Sequence, residues 1–383
     1  MNPPARAELV LTNAHIVLAD EVILGSIVVR DGCIAEIGEP FAGGEDMEGD
    51  FVLPGLVELH TDHLESHYAP RPKVRWNPIA AVQAHDAQVA ASGITTVFDA
   101  LRVGTDEYIA DMTAQDMKAL GQAIAASKAG DRLRADHYIH LRCEVSAPDC
   151  LESFEQVQGN PLIRLASLMD HAPGQRQFAS LDAYRVYYQG KLKMSDADLA
   201  AFSERRVRNS EKHAGPHRRA ISRFCLDNGI VLASHDDATL GHVEEAIEQG
   251  IDVAEFPTTV EAARASHAAG LAVLMGAPNV VRGSSHSGNV SARVLAEHGL
   301  LDILSSDYIP FSLLQAAFSL DEAVESISLP QAVRLVSKHP AEAAGLDDRG
   351  EIALGKRGDL VRVRLEEGVP LVRTVWREGR RVI

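Results

Sequence analysis

Short apolar runs alternate with helix-like segments through the middle of the chain. Eight such runs stand out: Leu56–His60, Thr95–Leu101, His137–Val145, Ile163–Met169, Ile230–Ser234, Val253–Phe256, Leu271–Met275 and Leu301–Ser305. Their hydrophobicity is continuous rather than alternating, which is typical of strands that are buried on both faces of a sheet. The segments between most of them are rich in Ala, Leu, Glu and Gln. Eight β–α units predict an α/β fold, a closed (β/α)8 barrel of the TIM type rather than an open sheet.

Both ends of the chain carry shorter, strand-like runs. Near the start they read LVLTNAHIVL, ILGSIVVR and CIAEIGE, and Asp31-Gly32 between the last two is a hairpin signal. Near the end they are Asp359–Arg364, Pro370–Val375 and Arg380–Ile383. We therefore predict a small composite β-sandwich domain from residues 1–54 and 340–383, and a barrel over residues 55–339. The polar segment at about 172–220 is longer than a usual connection and predicts a helical excursion over the active site of such a barrel.

Composition limits the partners and the compartment. The 383 residues are 46% hydrophobic and 24% charged, an ordinary balance for a barrel with an accessory domain. The net charge is −17, whereas proteins that bind nucleic acids usually carry a basic surface. A metal ion and local cationic side chains can still hold an anionic substrate. The four cysteines form no CxxC pair and predict reduced, mostly buried thiols. No long apolar leader or span is visible, so we expect a cytoplasmic protein that does not bind a membrane.

Polar residues with metal-ligand chemistry follow the apolar runs directly. The residues at the run ends are His60, Asp62, Glu144, His171, His235, Glu255 and Asp307. The carboxyl ends of barrel strands meet at one face, where barrel enzymes build their active sites, and His with carboxylate suits zinc, manganese or iron. In His60-x-Asp62 the alternate residues of a strand point the same way, so both can reach one ion.

Each of these signals has a structural alternative. A single histidine at a strand end is often a satisfied structural residue, and His235-Asp236-Asp237 could be a helix N-cap. Asp307 could accept a proton from an attacking water, or could cap a helix that begins near Leu313. The joint pattern, with ligand-type residues at several run ends in barrel order, favours one shared metal site.

Longer motifs resemble a known family. VLPGLVELH after the N-terminal strands and GKRGDL before the C-terminal ones resemble the amidohydrolase superfamily. The stretches LHTDHLESHYAPRPKVRW, ASGITTVFDAL, HLRCEV, SLMDHAPGQRQF, ASHDDAT, AEFPTT, MGAPNVVRGSSHSGNVSA and LDILSSDYIP resemble one branch, the diphosphohydrolases of the carbon–phosphorus lyase pathway for phosphonate use. The resemblance covers essentially the whole chain. It implies hydrolysis of α-D-ribose 1-methylphosphonate 5-triphosphate to the 5-phosphate and pyrophosphate.

The resemblance also implies roles for the residues at the run ends. His60, Asp62, His171 and His235 would be ligands of one or two divalent ions, zinc, manganese or iron. Asp307 would be ligand, base or both. The chain departs from the wider superfamily, because it has His-x-Asp rather than His-x-His on the first strand and no lysine at the ends of the middle strands. Glu144 would therefore serve as the bridging carboxylate if two ions bind.

A triphosphate needs cationic and backbone donors. The loop at 282–289 is the best candidate for an anion cradle, because its small residues let backbone N–H groups approach phosphate. The alternative is an ordinary glycine loop. The candidate substrate-binding residues are Arg71, Lys73, Arg142, Arg176, Arg282, Ser285 and His286. Solvated surface charge is the alternative for each of the cationic residues.

Several questions stay open at this point. His63 and His67 are spaced four apart, so on a helix they would share a face and could contact a metal or the substrate, or form a structural turn. A cyclic amidase or deaminase that cleaves a C–N bond is the rival activity on the same fold. A non-catalytic scaffold is a further rival, although such a chain usually loses its ligands. We also expect a homo-oligomer, with contact to other phosphonate-pathway proteins left open.

Overall fold

The computed structural model describes residues 8–39, 43–104, 112–176, 195–283 and 289–383. One of its two sheets takes strands from both ends of the chain: β1 (Leu9–Val17), β2 (Val22–Arg30), β3 (Cys33–Gly38), β4 (Glu45–Asp46), β5 (Phe51–Pro54), β14 (Leu360–Glu366), β15 (Val369–Arg377) and β16 (Arg380–Arg381). The strand order is β16-β15-β14-β5-β1-β2-β3, with β4 beside β1. Asp31 and Gly32 both adopt positive φ angles, of 50° and 85°, as the predicted hairpin turn requires.

The other sheet is the predicted parallel barrel. Its strands are β6 (Leu56–Thr61), β7 (Ile94–Val103), β8 (Asp136–Glu144), β9 (Ile163–Met169), β10 (Val231–His235), β11 (Val253–Glu255), β12 (Ala272–Gly276) and β13 (Ile303–Ser305). Each strand pairs with the next one along the chain, in the order β6 to β13. The last strand returns to the first through a parallel bridge between Thr61 and Asp307. The fold-class prediction is therefore confirmed.

Helices connect the strands within the described residues. They are α1 (Leu64–Tyr68), α2 (Pro78–Ala91), α3 (Ala114–Ala129), α4 (Cys150–Val157), α5 (Asp196–Asp227), α6 (Leu240–Glu248), α7 (Val260–Ala268), α8 (Ala277–Arg282), α9 (Ala292–Glu297), α10 (Ser312–Ala323), α11 (Leu329–Arg334) and α12 (Lys338–Ala343). The 32-residue α5 begins inside the predicted excursion, whose residues 177–194 lie outside the described part of the chain. Among the helices described, none is long and apolar enough to cross a bilayer.

Buried apolar residues of the barrel strands fill the space beneath the strand ends. One cluster joins Val57, Phe98, Leu165, Leu274 and Ile303, which come from five different strands. Cys143, Cys150 and Cys225 are buried, whereas Cys33 is exposed, and all four are free thiols, as predicted. The exact domain boundaries at residues 54 and 340 stay predictions.

A hub of charged residues joins the amino-terminal face of the barrel to the other sheet. Asp136, the first residue of β8, accepts hydrogen bonds from Arg349 Nη1 at 2.9 Å, Arg357 Nη1 at 2.6 Å and Arg377 Nη1 at 3.3 Å. Burial of Asp136 opposes its ionisation, but Arg357 and the other guanidinium groups outweigh burial and lower its pKa to about 2. This end of the barrel therefore holds a compensated charge.

Candidate metal centre

The carboxyl ends of the barrel strands surround a cavity of about 210 Å³. Its lining residues are His60, Arg142, His171, His235, Asp236, Phe256, Pro257, Met275, Gly276, Pro278, Asn279, Arg282, Asn289, Val290, Asp307 and Tyr308. Side chains from the first, third, fourth, fifth and last strand ends thus meet in one place, although they are separated by up to 247 positions along the chain. This is the face on which barrel enzymes place their chemistry.

Glu255, at the end of β11, lies between two of the histidines. Its Oε1 is 3.0 Å from His60 Nδ1, and its Oε2 is 3.2 Å from His235 Nδ1. Burial opposes ionisation of this fully buried carboxyl group, but the neighbouring histidines lower its pKa well below the ordinary value. An imidazole that donates its Nδ1–H to a carboxylate keeps the Nε2 lone pair available for a metal. Glu255 therefore orients both rings.

Glu144 plays the same orienting part for the third histidine. Its Oε2 is 2.5 Å from His171 Nδ1, and its Oε1 accepts from the His171 backbone N–H at 3.1 Å and from the Ser146 hydroxyl at 2.6 Å. Both oxygens of Glu144 thus have partners, and the residue does not line the cavity. The structure places Glu144 behind His171, so the interpretation of Glu144 as a bridging ligand stays a prediction with no supporting contact.

Asp236 supplies the carboxylate that the Nε2 atoms face. Its Oδ2 lies 3.7 Å from His171 Nε2 and 3.6 Å from His235 Nε2. That oxygen is buried and has no hydrogen-bond partner among the described residues. A buried carboxylate oxygen without a partner is unfavourable unless a cation neutralises it. The donor set of His171, His235 and Asp236 therefore fits a divalent metal ion.

Asp62 and Asp307 lie next to each other at the barrel mouth; Asp307 lines the cavity, and Asp62 is not among its lining residues. The backbone N–H of Asp307 donates to His60 O at 3.1 Å, and that of Asp62 donates to Asp307 O at 3.1 Å, so the two residues are fixed side by side. Burial raises the pKa of Asp307 to about 7, and repulsion by Asp62 adds to the effect while Arg142 opposes it. Arg142 Nη1 donates to Asp62 Oδ2 at 3.2 Å. Asp236 and Asp307 thus both offer a carboxylate to the cavity, which Arg142 and Arg282 also line.

Three strand ends at the cavity turn through left-handed backbone conformations. Asp236, Phe256 and Asp307 have φ angles of 59°, 53° and 56°. Aspartate adopts this conformation fairly readily, whereas it is unusual for a bulky residue such as Phe256. Strained backbone of this kind concentrates at functional sites, where the surrounding structure holds it in place.

The helix-cap alternatives do not describe these aspartates. Helix α10 begins at Ser312 with Phe311 at its N-cap position, so Asp307 does not cap it. Helix α6 is capped by the Thr239 hydroxyl, which accepts from the His242 N–H, so neither Asp236 nor its neighbour in the sequence caps that helix.

Two buried residues near the site were not singled out from the sequence. Glu58 accepts hydrogen bonds from the backbone N–H groups of His60 and Ser306, both at 2.6 Å, and burial raises its pKa to about 7. His140 is held by Leu59 O at 2.9 Å and the Ser167 hydroxyl at 3.0 Å, and burial lowers its pKa to about 3. The available signal was a charged or imidazole side chain inside an apolar run, where such residues are rare.

The predicted substrate-binding arginines have different surroundings. Arg142 and Arg282 both line the cavity. Arg176 is buried and forms ion pairs with Asp237 and Glu245, so its guanidinium is already engaged. Of these three, Arg142 and Arg282 are at the cavity, and their contact with a substrate stays a prediction.

The structure does not place the remaining candidates for substrate contact at the cavity. Arg71 and Lys73 are exposed in the turn between α1 and α2 and do not line the cavity. Ser285 and His286 fall at residues 284–288, outside the described part of the chain. Their role in binding the substrate stays a prediction.

Comparison with known sequences gives a full-length relative. A model of the "Amidohydrolase family" matches residues 225–383. The chain is 47% identical over 378 residues to the alpha-D-ribose 1-methylphosphonate 5-triphosphate diphosphatase of Escherichia coli (strain K12), with 98% of this chain and 100% of the relative covered. It is 24% identical over 371 residues to the adenine deaminase of Ligilactobacillus salivarius (strain UCC118), with 93% of this chain and 54% of that protein covered.

Solved structures share the fold at low identity. The 5-methylcytosine deaminase from Klebsiella pneumoniae superposes with a TM-score of 0.65 at 16% identity and 98% coverage of each chain. The N-acetylglucosamine-6-phosphate deacetylase from Pasteurella multocida gives a TM-score of 0.62 at 14% identity, with 98% and 99% coverage. These neighbours bear on the fold alone.

Proposed function

The chain belongs to the family of the alpha-D-ribose 1-methylphosphonate 5-triphosphate diphosphatases, which have the amidohydrolase fold. From this membership we propose that the protein is a metal-dependent diphosphohydrolase of phosphonate catabolism. The observation that carries the proposal is the 47% identity across 98% of the chain. The cavity at the barrel mouth, where three histidines meet several carboxylates, is the site at which the reaction would take place.

The reaction consumes one water and cleaves one phosphoanhydride bond. Alpha-D-ribose 1-methylphosphonate 5-triphosphate and water give 5-phospho-alpha-D-ribose 1-methylphosphonate and pyrophosphate. The oxygen of water bonds to phosphorus on one side of the α–β bridge, and the bridging P–O bond breaks. Because pyrophosphate is a good leaving group, the protein must chiefly position the triphosphate and stabilise its negative charge.

His60, His171, His235, Asp62 and Asp307 are the proposed metal ligands. The buried and unpartnered Asp236 Oδ2 adds a carboxylate to this set, because it lies within 3.7 Å of both His171 Nε2 and His235 Nε2. Glu144 and Glu255 hold the imidazoles from behind. We propose one or two ions of zinc, manganese or iron, in a cytoplasmic homo-oligomer.

When bound, such an ion would neutralise charge on the phosphoryl oxygens and would make water more acidic at neutral pH. Asp307 is the proposed base, because its carboxylate lines the same cavity as His60, His171 and His235 and could accept a proton from the attacking water. Arg142 and Arg282 line the same cavity and would hold phosphate oxygens by charge-assisted hydrogen bonds.

The reaction products test the proposal. Purified full-length protein, loaded in turn with zinc, manganese or ferrous iron, is incubated with the ribose triphosphate, and the products are resolved by ³¹P NMR. We expect pyrophosphate and the 5-phosphate in equal amounts. Repeating the reaction in ¹⁸O-labelled water identifies the attacked phosphorus, because the label enters only one of the two products.

Two outcomes would count against this assignment. Release of orthophosphate would reject the proposed cleavage position, and no turnover with any of the three metals would reject the activity. The rival C–N hydrolase activity rests only on distant relatives of 24% identity or less, and ammonia release from adenine or from cyclic imides would be its signature.

A further inference from the structure

The aromatic ring of Phe256 packs against two of the proposed metal ligands. Its centroid lies 5.1 Å from that of the His60 ring and 5.3 Å from that of the His235 ring, with the planes at 77° and 84°, so both contacts are edge-to-face. We propose that Phe256 is a positioning residue that holds the two imidazoles in the orientation that a metal ion requires. This inference rests on the metal centre of the proposed function.

The backbone of Phe256 is strained. Its φ angle of 53° lies in the left-handed region, which bulky residues avoid. Pro257 follows it, and a residue that precedes proline favours an extended conformation. Among the non-glycine residues with positive φ angles in the described part of the chain, Phe256 is the only one with an apolar side chain. A strained conformation that the surrounding structure maintains points to a function of the residue.

The left-handed turn explains how two consecutive residues reach the same pair of histidines. In a regular strand, successive side chains point to opposite faces of the sheet. Glu255 and Phe256 nevertheless both contact His60 and His235. The N–H of Phe256 donates to Leu274 O at 2.8 Å, which fixes the turn at the strand end. The strain therefore places the phenyl ring beside the imidazoles.

Glu255 and Phe256 restrict the two rings in different ways. The carboxylate of Glu255 lies 3.0 Å from His60 Nδ1 and 3.2 Å from His235 Nδ1. A hydrogen bond at one nitrogen still lets a ring swing about that contact, and the packed phenyl ring limits the swing. The two imidazoles are nearly parallel, with planes at 24° and centroids 5.9 Å apart. Rings that are already fixed lose less conformational freedom when they bind an ion, which favours binding.

Phe256 also lines the cavity and is only partly buried, so its alternative role is that of a wall against which the substrate packs. The two roles predict different measurements. A substrate wall changes KM and leaves the affinity for the metal as it is. A positioning residue changes the affinity for the metal when no substrate is present.

Zinc affinity in the absence of substrate tests the proposal. Full-length wild-type protein and Phe256→Ala are freed of metal by dialysis, and zinc binding is measured by competition with a chromogenic chelator. We expect Phe256→Ala to bind zinc about 10-fold more weakly, because both imidazoles regain freedom in the metal-free state. Phe256→Tyr keeps the ring and should bind zinc within about threefold of the wild type.

Cobalt gives a second readout that does not use activity. The visible absorption of bound Co²⁺ depends on its coordination geometry. The spectrum of the cobalt-loaded protein should change in Phe256→Ala and should keep its wild-type form in Phe256→Tyr. Circular dichroism confirms that each variant is folded.

Phe256→Asn separates the loss of the ring from the backbone strain. This variant also removes the phenyl ring, but asparagine adopts the left-handed conformation more readily than alanine does. Metal-free Phe256→Asn should therefore unfold at a higher urea concentration than Phe256→Ala. Both variants should bind zinc equally weakly, because both lack the ring.

The chain offers a matched control in a second pair of phenylalanine and histidine. Phe51 is also partly buried, and its ring lies 5.5 Å from that of His15 in the other sheet. Phe51→Ala should lower the urea concentration of unfolding and leave zinc affinity unchanged. Wild-type zinc affinity in Phe256→Ala, or a raised KM as its only change, would overturn the positioning role and leave the metal centre in place. Wild-type protein that binds no zinc would overturn both.

Discussion

The two faces of the barrel surround partly buried carboxylates with opposite kinds of neighbours. At the amino-terminal face, three arginines surround Asp136 and lower its pKa to about 2. At the carboxyl-terminal face, burial and the neighbouring Asp62 raise the pKa of Asp307 to about 7. The same type of residue is therefore compensated at one face and left uncompensated at the other.

We attribute a stabilising role to the compensated carboxylate and a chemical role to the uncompensated one. A compensated carboxylate fastens the barrel to the second sheet, whereas an uncompensated one weakens the metal-free fold and is available to a cation or a proton. Substitution of the carboxylate at one face should therefore affect mainly stability, and substitution at the other face should affect mainly activity; four experiments test this difference.

The largest effect is expected from Asp307→Asn. Loss of the proposed base should lower kcat for pyrophosphate release by about 10²–10⁴-fold, the usual contribution of general base catalysis. The unfolding free energy of the metal-free protein should not fall, because an uncompensated charge has been removed. Asp302, which directly precedes strand β13, provides the control. Asp302→Asn should leave kcat within about threefold, since among the described residues its carboxylate bonds to Val273 N and His267 Nδ1. Equal losses of activity in both variants would contradict the distinction.

The next largest effect is expected from Asp136→Asn. Removing this carboxylate leaves three guanidinium groups without their shared partner, and breaking a buried ion pair in this way lowers the unfolding free energy by about 3 kcal/mol. Urea unfolding measures the change, while kcat per folded molecule should stay near the wild-type value. Glu204→Gln removes an exposed pair with Arg208 and should change stability by less than about 0.5 kcal/mol. A large loss of kcat in folded Asp136→Asn protein would contradict the assignment of Asp136 to stability alone.

A smaller effect is expected from Glu255→Gln. The amide cannot accept charge-assisted hydrogen bonds from both His60 and His235, so the affinity for the metal should fall by about 10–100-fold. Metal titration of the dialysed protein gives this number. Asp252→Asn, which changes an exposed residue just before the same strand β11, should leave the affinity unchanged. An unaltered affinity in Glu255→Gln would show that the carboxylate does not orient the ligands.

The smallest effect is expected from pH, because each group contributes only across its own titration range. In metal-free protein the pKa of Asp307 is raised from 3.8 to about 7, so the unfolding free energy should fall as the pH rises from 4 to 7. The pKa of Asp136 is lowered from 3.8 to about 2, so its stabilising contribution is present above pH 3.8 and is lost as the pH falls through 2. Urea unfolding across this range should show a neutral-side decline that Asp307→Asn reduces, while Glu58, whose pKa burial also raises to about 7, accounts for the part that remains. A decline of unchanged size in the variant would show that Asp307 does not contribute to it.

The sequence predicted the barrel because its strands are short and buried on both faces. The run Ile163–Met169 coincides with β9, and the other seven runs overlap their strands with ends that differ by one or two residues. The turn at Asp31-Gly32 was also predicted, since only a few residues tolerate two successive positive φ angles. Local sequence patterns were sufficient to predict both the barrel strands and this turn.

The candidate site was only partly predictable. His60, His171, His235 and Asp307 were selected because they follow apolar runs, and all four line the cavity. The orienting role of Glu255 depends on which rings its two oxygens face, and hydrophobicity along the chain does not contain that information.

For other residues too, the partner of a side chain is distant in the sequence and could not be predicted from it. Arg176 and Arg282 looked alike in the sequence, yet Arg176 is held by Asp237 and Glu245, whereas Arg282 borders the cavity. His85 lies in the middle of the alanine-rich helix α2, and nothing nearby in the chain indicates that Asp99 anchors it.

Strand β5 lies between β1 and β14 in the sheet built from both termini, and this order has a consequence for biosynthesis. During translation β5 pairs at once with β1, but its other edge waits for Leu360–Glu366, more than 300 residues later. At about 5–20 residues per second that interval is on the order of tens of seconds. A nascent polypeptide with an open strand edge is prone to aggregate, so the most vulnerable stage in the life of this protein falls on the ribosome, before its final strands emerge.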